Sequence, residues 1–224
     1  MTRTTSQQFH FGRDPDFHEI LADGIVHAVG VVLALIGATV LIFHATLWAE
    51  PAARIAAWIY GAGLVAALAI SFAYNMLPPS RLKWAMRRLD HSAIFVLIAA
   101  TYTPFLQRGA QDPAILRLLV GIWIAAALGV ALKCLFPGRG DRLAIGLYLL
   151  MGWSGLTALG PIAGTVPPVS MMLIVAGGIV YTLGVIFHVW ERLRFQNAIW
   201  HAFVVAAAAI HYGAVLAAFR PDGV

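Results

Sequence analysis

Polar side chains able to bind a metal ion or move a proton recur near one end of several apolar segments of this sequence. Ser71 and Asn75 stand four residues apart, so they would share one face of a helix. Asp90 opens the next apolar segment, and Asn197 and His201 repeat the four-residue spacing in the last one. Polar groups at membrane depth are costly and mark functional sites, which helix bundles build from facing helices. We predict that these residues line one cavity that holds a metal ion or a lipid headgroup.

The helices that position these residues are predicted to cross a membrane. Of the 224 residues, 61% are hydrophobic and 11% are charged, whereas soluble domains carry about 25% charged residues. A crossing needs roughly 20 apolar residues, and prolines separate the apolar segments. The predicted fold is an all-α integral membrane protein with a seven-transmembrane helix bundle. A polar cytosolic N-terminal segment, 1–23, precedes the membrane domain, 24–219, and a tail, 220–224, follows it. The predicted spans are 24–47, 53–77, 90–107, 115–136, 143–160, 169–188 and 197–219.

The distribution of Lys and Arg predicts how the chain is oriented. Most of these residues near the span ends fall on the side of the N-terminus, while Arg54, Arg108, Arg117 and Arg220 fall on the other side. Basic loops stay in the cytosol. We therefore expect a cytosolic N-terminus, an external C-terminus and a multi-pass protein of the plasma membrane.

The most charged connection lies between the second and third predicted spans. Ser80 suits a helix N-cap, and the apolar spacing after it predicts a short helix lying on the inner leaflet. Its basic residues, Arg81, Lys83, Arg87 and Arg88, would meet anionic lipid headgroups. The alternative is that they only set the topology. No basic stripe lies away from the membrane segments, so we expect membrane lipids and no nucleic acid as partners.

Several motifs resemble the hemolysin III branch of the progestin and adipoQ receptor (PAQR) family. The matching segments are Glu19-Ile-Leu-Ala-Asp-Gly-Ile-Val-His27, Ser71-Phe-Ala-Tyr-Asn75, Arg88-Leu-Asp-His-Ser-Ala-Ile94, Thr101-Tyr-Thr-Pro-Phe105 and Ala198-Ile-Trp-His-Ala-Phe-Val204. The resemblance covers nearly the whole chain. It implies a seven-helix membrane protein with a zinc site near the cytosolic face. A wider kinship with alkaline ceramidases, the CREST superfamily, implies hydrolysis of a lipid amide.

The sequence departs from the family pattern at two of the histidines that the resemblance would assign to zinc. Asn75 stands at the histidine of Ser-x-x-x-His, and Asn197 at the first histidine of His-x-x-x-His, whereas Ser71, Asp90 and His201 match. An amide oxygen is a weak zinc ligand. The resemblance thus leaves His201 and Asp90 as metal ligands in a degenerate site, and zinc affinity should be low unless another residue substitutes. The histidines that could do so are His27, His91 and His188.

Three functions remain open on the sequence alone. In a zinc-dependent hydrolase of a lipid amide or ester, Asp90 would orient or deprotonate the metal-bound water, Ser71 would hydrogen-bond that water or the oxyanion, and His201 would hold the metal. In a protein of membrane-lipid sensing or homeostasis, the same cavity would bind a lipid, and Asn75 and Asn197 would bond across helices. The missing imidazoles favour the sensor for this sequence. Cytolysis fits worst, because a secreted pore former needs a soluble state that this chain does not offer.

Overall fold

The protein is built from helices throughout the residues that the structure, a computed structural model, describes, which are 15–136 and 141–219. The helices are α1 (Phe17–Trp48), α2 (Pro51–Met76), α3 (Arg81–Arg108), α4 (Pro113–Leu135), α5 (Asp141–Trp153), α6 (Leu159–Ala163), α7 (Pro168–Val189) and α8 (Gln196–Ala218), with a 3₁₀ turn (Ser154–Ala158) between α5 and α6. Within the described ranges, six of them are long and apolar enough to cross a membrane, namely α1, α2, α3, α4, α7 and α8. The prediction of an all-α, multi-pass membrane protein is confirmed at this level.

Local sequence signals explain where the helices begin. Asp16 and Glu19 form a capping box, in which each side chain accepts a hydrogen bond from the other residue's backbone N–H. The Ser80 hydroxyl accepts from the backbone N–H of Lys83 at the start of α3. Proline is the first residue of α2, α4 and α7, where its missing N–H costs nothing. Because of the capping box, α1 already begins at Phe17, ahead of the predicted span from residue 24.

The prediction of a separate short surface helix before the third span is wrong. Residues 81–89 are the first turns of α3, which runs without a break from Arg81 to Arg108. No glycine or proline separates the amphipathic stretch from Asp90, so nothing interrupts the backbone hydrogen bonds there. The basic side chains of this stretch therefore stand on the end of a long helix.

The predicted fifth span, 143–160, falls on a broken segment. It comprises α5 with 13 residues, the 3₁₀ turn with 5 and the short α6 with 5. Hydrogen bonds from neighbouring helices hold the break: the Tyr102 hydroxyl donates to the Gly152 carbonyl (2.6 Å) and accepts from the Gly155 N–H (2.9 Å). The indole N–H of Trp153 donates to the Thr182 hydroxyl at 3.1 Å. A seventh crossing through this segment stays a prediction.

The first and last long helices are neighbours. In the bundle α1 packs against α2 and α8, α3 packs against α2 and α4, and α7 packs against α8. Glycine permits the contact of α1 with α8, since a Cβ on Gly30 would lie 2.7 Å from the Val205 side chain. We call the end at which α1, α3, α5 and α8 begin the basic end, because the Arg81–Arg88 stretch and Arg194 lie there.

Candidate metal centre

Three ionisable side chains meet where α1 and α8 approach each other near the basic end. Asp23 and His27 are on α1 and are 4% and 3% exposed, and half-buried His201 is on α8. Within the described chain these three form the group of metal-ligating side chains whose ligand atoms all lie within 4.8 Å of one another. Four-residue spacing puts Asp23 and His27 on one face of α1, and the packing of α8 against α1 brings His201 to that face. We call these residues the triad.

Hydrogen bonds fix the orientation of both imidazoles. His27 Nδ1 lies 2.9 Å from the Asp23 backbone carbonyl oxygen. A carbonyl only accepts, so Nδ1 carries the proton and a neutral His27 keeps a lone pair on Nε2. His201 Nδ1 lies 2.7 Å from Asp23 Oδ1, and donation to this carboxylate likewise leaves a lone pair on His201 Nε2. The two ring centroids are 4.1 Å apart, so a nitrogen of each ring can serve one ion.

A hydroxyl group adjoins the triad from α2. Ser71 Oγ lies 3.3 Å from His27 Nε2, the nitrogen with the free lone pair. The Asn75 amide donates to the Ser71 backbone oxygen at 2.9 Å and lies 3.4 Å from the Ser71 hydroxyl oxygen. The Asn75 side chain is thus bonded to its own helix and orients Ser71. Phe72 stacks on the His27 ring, with centroids 5.9 Å apart, and covers one face of it.

The start of α8 is tied to the start of α1. Glu19 Oε1 accepts from the backbone N–H of Phe195 at 2.8 Å, and its Oε2 accepts from the N–H of Asp16 at 3.0 Å. Phe195 has φ 58°, a left-handed conformation that costs a non-glycine residue about 1 kcal/mol or more. Arg194 pairs with Asp16 at 3.3 Å, and the backbone N–H of Glu19 lowers the pKa of Asp16. This arrangement fixes where α8, and with it His201, begins relative to Asp23.

The predicted site residues divide into two groups. Ser71, Asn75 and His201 lie together at or beside the triad. Asp90, on α3, interacts electrostatically with His27 but lies outside the group of ligand atoms within 4.8 Å. Asn197 is exposed, one helical turn before His201. The roles of Asp90 and Asn197 stay predictions.

Asp23 is the residue that the sequence reasoning missed. It was assigned to the polar N-terminal segment, whereas it is buried in the second turn of α1. Two signals pointed to it: the Asp-x-x-Glu capping pattern that places the helix start at Phe17, and the four-residue spacing to His27. His27 was one of the histidines named as a substitute ligand, and it is the one that lies in the triad.

A second polar group, the Asp141 cluster, lies between α3, α4 and α5. Lys133 Nζ donates to Asp141 Oδ1 at 2.7 Å although the Lys133 side chain is 2% exposed. Arg87 donates to Asp141 Oδ2, and His91 Nδ1 lies 3.6 Å from Oδ1. The Tyr148 hydroxyl donates to the His91 backbone carbonyl at 2.8 Å. These bonds join the starts of α3 and α5 to the end of α4.

The four basic residues predicted to meet lipid headgroups have different surroundings. Arg87 belongs to the Asp141 cluster, and Lys83 Nζ donates to the Leu77 carbonyl at 2.8 Å. The Arg88 guanidinium lies over the Trp84 ring, 4.1 Å from its centroid, and Arg81 is exposed. Headgroup binding by these residues stays a prediction.

The donor set of the triad suits a divalent transition metal. Zinc takes imidazole nitrogen and carboxylate oxygen, and catalytic zinc sites use three protein ligands and leave a position open. Ferrous iron uses the same combination of two histidines and one carboxylate. The triad supplies one carboxylate and two imidazoles, with one ligand atom of each residue within 4.8 Å of the others, and so meets this requirement. The carbonyl that fixes the His27 tautomer is of the kind that supports metal ligands elsewhere.

Fold and site together define a multi-pass α-helical membrane protein with a candidate Asp/His/His metal centre inside the bundle, near one end. The family described as Haemolysin-III related matches residues 16–212. The chain belongs to this family, and the resemblance seen in its motifs is confirmed.

Characterised relatives span nearly the same length. Hemolysin-3 of Bacillus cereus is 34% identical over 198 residues, which cover 88% of this chain and 90% of the relative. The Hemolysin-3 homolog of Bacillus subtilis (strain 168) is 33% identical, with 88% and 93% covered. The monocyte to macrophage differentiation factor of Homo sapiens is 31% identical over 209 residues, with 90% and 84% covered. The last of these is a PAQR-family protein, which agrees with the branch inferred from the motifs.

Proposed function

We propose that this protein is a metal-dependent hydrolase that cleaves an amide or ester bond of a membrane lipid at the triad. The observation that carries the proposal is the convergence of Asp23, His27 and His201, whose ligand atoms lie within 4.8 Å of one another inside a membrane bundle. The triad supplies imidazoles that the positions of Asn75 and Asn197 lack. The sequence favoured a metal-free sensor because two imidazoles were missing, and the triad removes that reason. Zinc is the proposed ion.

The residues around the triad supply the other requirements of such a reaction. A bound zinc ion polarises a carbonyl and lowers the pKa of water to near 7. Asp23 accepts from His201 Nδ1 at 2.7 Å and thereby fixes the position of this imidazole beside His27. Ser71, oriented by Asn75, presents a hydroxyl beside His27 Nε2 that can donate to the oxygen of a lipid carbonyl. Asp90 adds negative charge near His27, which favours a cation at this place.

The position of the triad in the bundle supports a lipid as substrate. Asp23 and His27 lie in the first turns of α1, a helix long and apolar enough to cross a membrane, so a lipid in the leaflet at the basic end can bring its linkage to this depth. We further propose that the basic end faces the cytosol, that α5, the 3₁₀ turn and α6 form a seventh crossing, and that the protein resides in the plasma membrane. Exposed Arg81 and the partly buried Arg88 would then lie near anionic headgroups.

Metal analysis combined with a lipid assay tests the proposal. Protein purified without chelator should contain about one zinc per chain, which elemental analysis would distinguish from iron. In bilayers that contain a ceramide it should release fatty acid, and the variants Asp23→Asn and His201→Ala should lose both metal and release. His44→Ala is the matched control, because His44 is a histidine of the same helix far from the triad. Metal-free protein that still releases fatty acid, or metal-loaded protein that releases none from amides or esters, would contradict the proposal.

A second function, membrane-lipid sensing or homeostasis, is favoured by a different observation. Asp23 already accepts a hydrogen bond from His201, and His27 is bonded to both Asp23 and Ser71, so the triad is satisfied as a hydrogen-bonded set. A lipid headgroup could then bind to Ser71, Asn75 and His201 without chemistry. This function predicts that the lipid raises the melting temperature of the protein while no fatty acid is released.

A further inference from the structure

Three tyrosines from different helices direct their rings into the bundle far from the triad. Tyr60 of α2 is 1% exposed, and its hydroxyl has no hydrogen-bond partner among the described residues. Tyr60 belongs to the buried core against which Tyr212 of α8 packs, and Tyr181 of α7 lies beside the ring of His211, the residue before Tyr212. A buried hydroxyl without a partner destabilises the folded state, so its presence at this place points to a polar group that the site receives.

Neighbouring contacts place all of these rings on the inner side of the bundle. The ring of Tyr212 lies against α1, since a Cβ on Gly37 would be 3.1 Å from its Cε2. His211 lies against α7, with its ring over the place that a Cβ on Gly177 would take, and its centroid is 5.5 Å from that of Tyr181. His211 Nε2 lies 3.1 Å from the Ile174 carbonyl oxygen. Nε2 therefore donates, and Nδ1 of a neutral His211 is left as an acceptor.

The tyrosines and His211 form a set of uncharged side chains that both donate and accept hydrogen bonds. Phenol hydroxyls donate and accept, the His211 Nδ1 accepts, and these side chains bring no permanent charge. Such a set suits an uncharged hydroxyl group, which needs both a donor and an acceptor. A carboxylate or a phosphate would lack a counter-charge among these residues, and burying it there would be costly.

The distance to the triad matches the length of a lipid chain. Tyr60 lies about three helical turns along α2 from Ser71, and Tyr212 about three turns along α8 from His201, which is roughly 16 Å in each helix. A chain that starts at the triad would reach the tyrosines near the middle of a hydrocarbon layer about 30 Å thick. We propose that Tyr60, Tyr181, Tyr212 and His211 form a second binding site, which takes a hydroxyl group on the hydrocarbon chain of a lipid whose polar head lies at the triad.

This inference rests on the proposed function only for the position of the polar head. The probes are stearic acid and the hydroxystearic acid whose hydroxyl is on the twelfth carbon, with affinities measured for the metal-loaded protein in lipid nanodiscs. The wild-type protein should bind the hydroxylated acid about three- to tenfold more tightly, as one hydrogen bond of about 0.5–1.5 kcal/mol provides. In Tyr60→Phe the preference should disappear, so that the two acids bind with equal affinity.

A matched control separates the lost contact from a general disturbance. Tyr148→Phe also removes one hydroxyl, but from a tyrosine that is bonded to the His91 carbonyl away from the proposed site. It should lower the stability of the lipid-free protein and keep the preference for the hydroxylated acid. Tyr60→Phe, which removes an unpartnered hydroxyl, should leave lipid-free stability unchanged or raise it. Tyr212→Phe should weaken the preference as Tyr60→Phe does.

Equal affinity of the wild-type protein for the two acids would overturn the proposal, and so would a preference that survives in both Tyr60→Phe and Tyr212→Phe. Loss of zinc in His201→Ala with the preference retained would support the second site while contradicting the placement of the head at the triad. The failure of one inference is therefore distinguishable from the failure of the other.

Discussion

Asp23 and Asp141 each gather nitrogen-bearing side chains near the basic end, but the partners differ in kind. Asp23 is buried and pairs with His27 and His201, whose rings keep lone pairs after donating to it. Asp141 is 38% exposed at its side chain and pairs with Arg87 and Lys133, which are donors only, while a single histidine, His91, lies farther off at 3.6 Å. A guanidinium or an ammonium has no lone pair for a metal. The comparison shows why the first aspartate organises a candidate metal centre and the second a structural ion pair.

The largest effect should follow from neutralising Asp23. Asp23→Asn keeps the size of the side chain but removes an anionic ligand and the charge that holds His201. Zinc affinity should fall by more than the roughly 10- to 100-fold that is typical when a ligand loses only its supporting partner. Competition with a fluorescent zinc chelator measures this. Asp141→Asn in the same assay should leave the affinity within about twofold, and a matching loss in both variants would show that the two clusters are not separate.

For the stability of the fold, we expect Asp141→Asn to have the larger effect of the two variants. Asp141→Asn leaves Lys133 buried with its charge unpaired, a change that costs about 3 kcal/mol in fully buried pairs and less here because Asp141 is partly exposed. Unfolding in a titration with sodium dodecyl sulfate should show the loss. Adding Lys133→Met to that variant should recover part of the loss, because the double change removes the buried ammonium while Arg87 still lacks the Asp141 carboxylate. If the double variant is as unstable as the single one, the pair is not the reason for the effect.

The smallest effect should come from the exposed pair of Arg194 with Asp16. Its side chains are 66% and 44% exposed, and such pairs contribute about 0–1 kcal/mol. Arg194→Ala should change the free energy of unfolding by less than about 0.5 kcal/mol and leave zinc affinity unaltered. A larger change in either quantity would mean that this pair helps the Glu19 contact with Phe195 to position α8.

Composition and helix-ending residues sufficed to predict the long helices of this bundle, because an apolar segment in a bilayer has no alternative to internal hydrogen bonding. The broken segment from Asp141 to Ala163 was harder to assign. Its glycines and Pro161 weaken the helix, while the bonds from Tyr102 that hold it come from a distant part of the chain.

In the candidate site, too, some residues could be predicted from the sequence and others could not. Ser71, Asn75 and His201 were predicted as neighbours from their spacing and from the family resemblance. Asp23 was not, because its partner His201 is 178 residues away and their contact depends on how α1 packs against α8. Spacing along one helix reports on a shared face, but it does not report which other helix covers that face.

The contact of α8 with α1 can form only late in the synthesis of the chain. Asp23 and His27 leave the ribosome early, and His201 follows near the end of the chain. A chain that stops before its last helix holds two of the three triad residues, and its Asp23 carboxylate lacks the bond from His201. If the triad binds metal as proposed, metal occupancy would distinguish finished protein from truncated protein, and the truncated chain would keep at membrane depth a carboxylate without its histidine partner, which is costly.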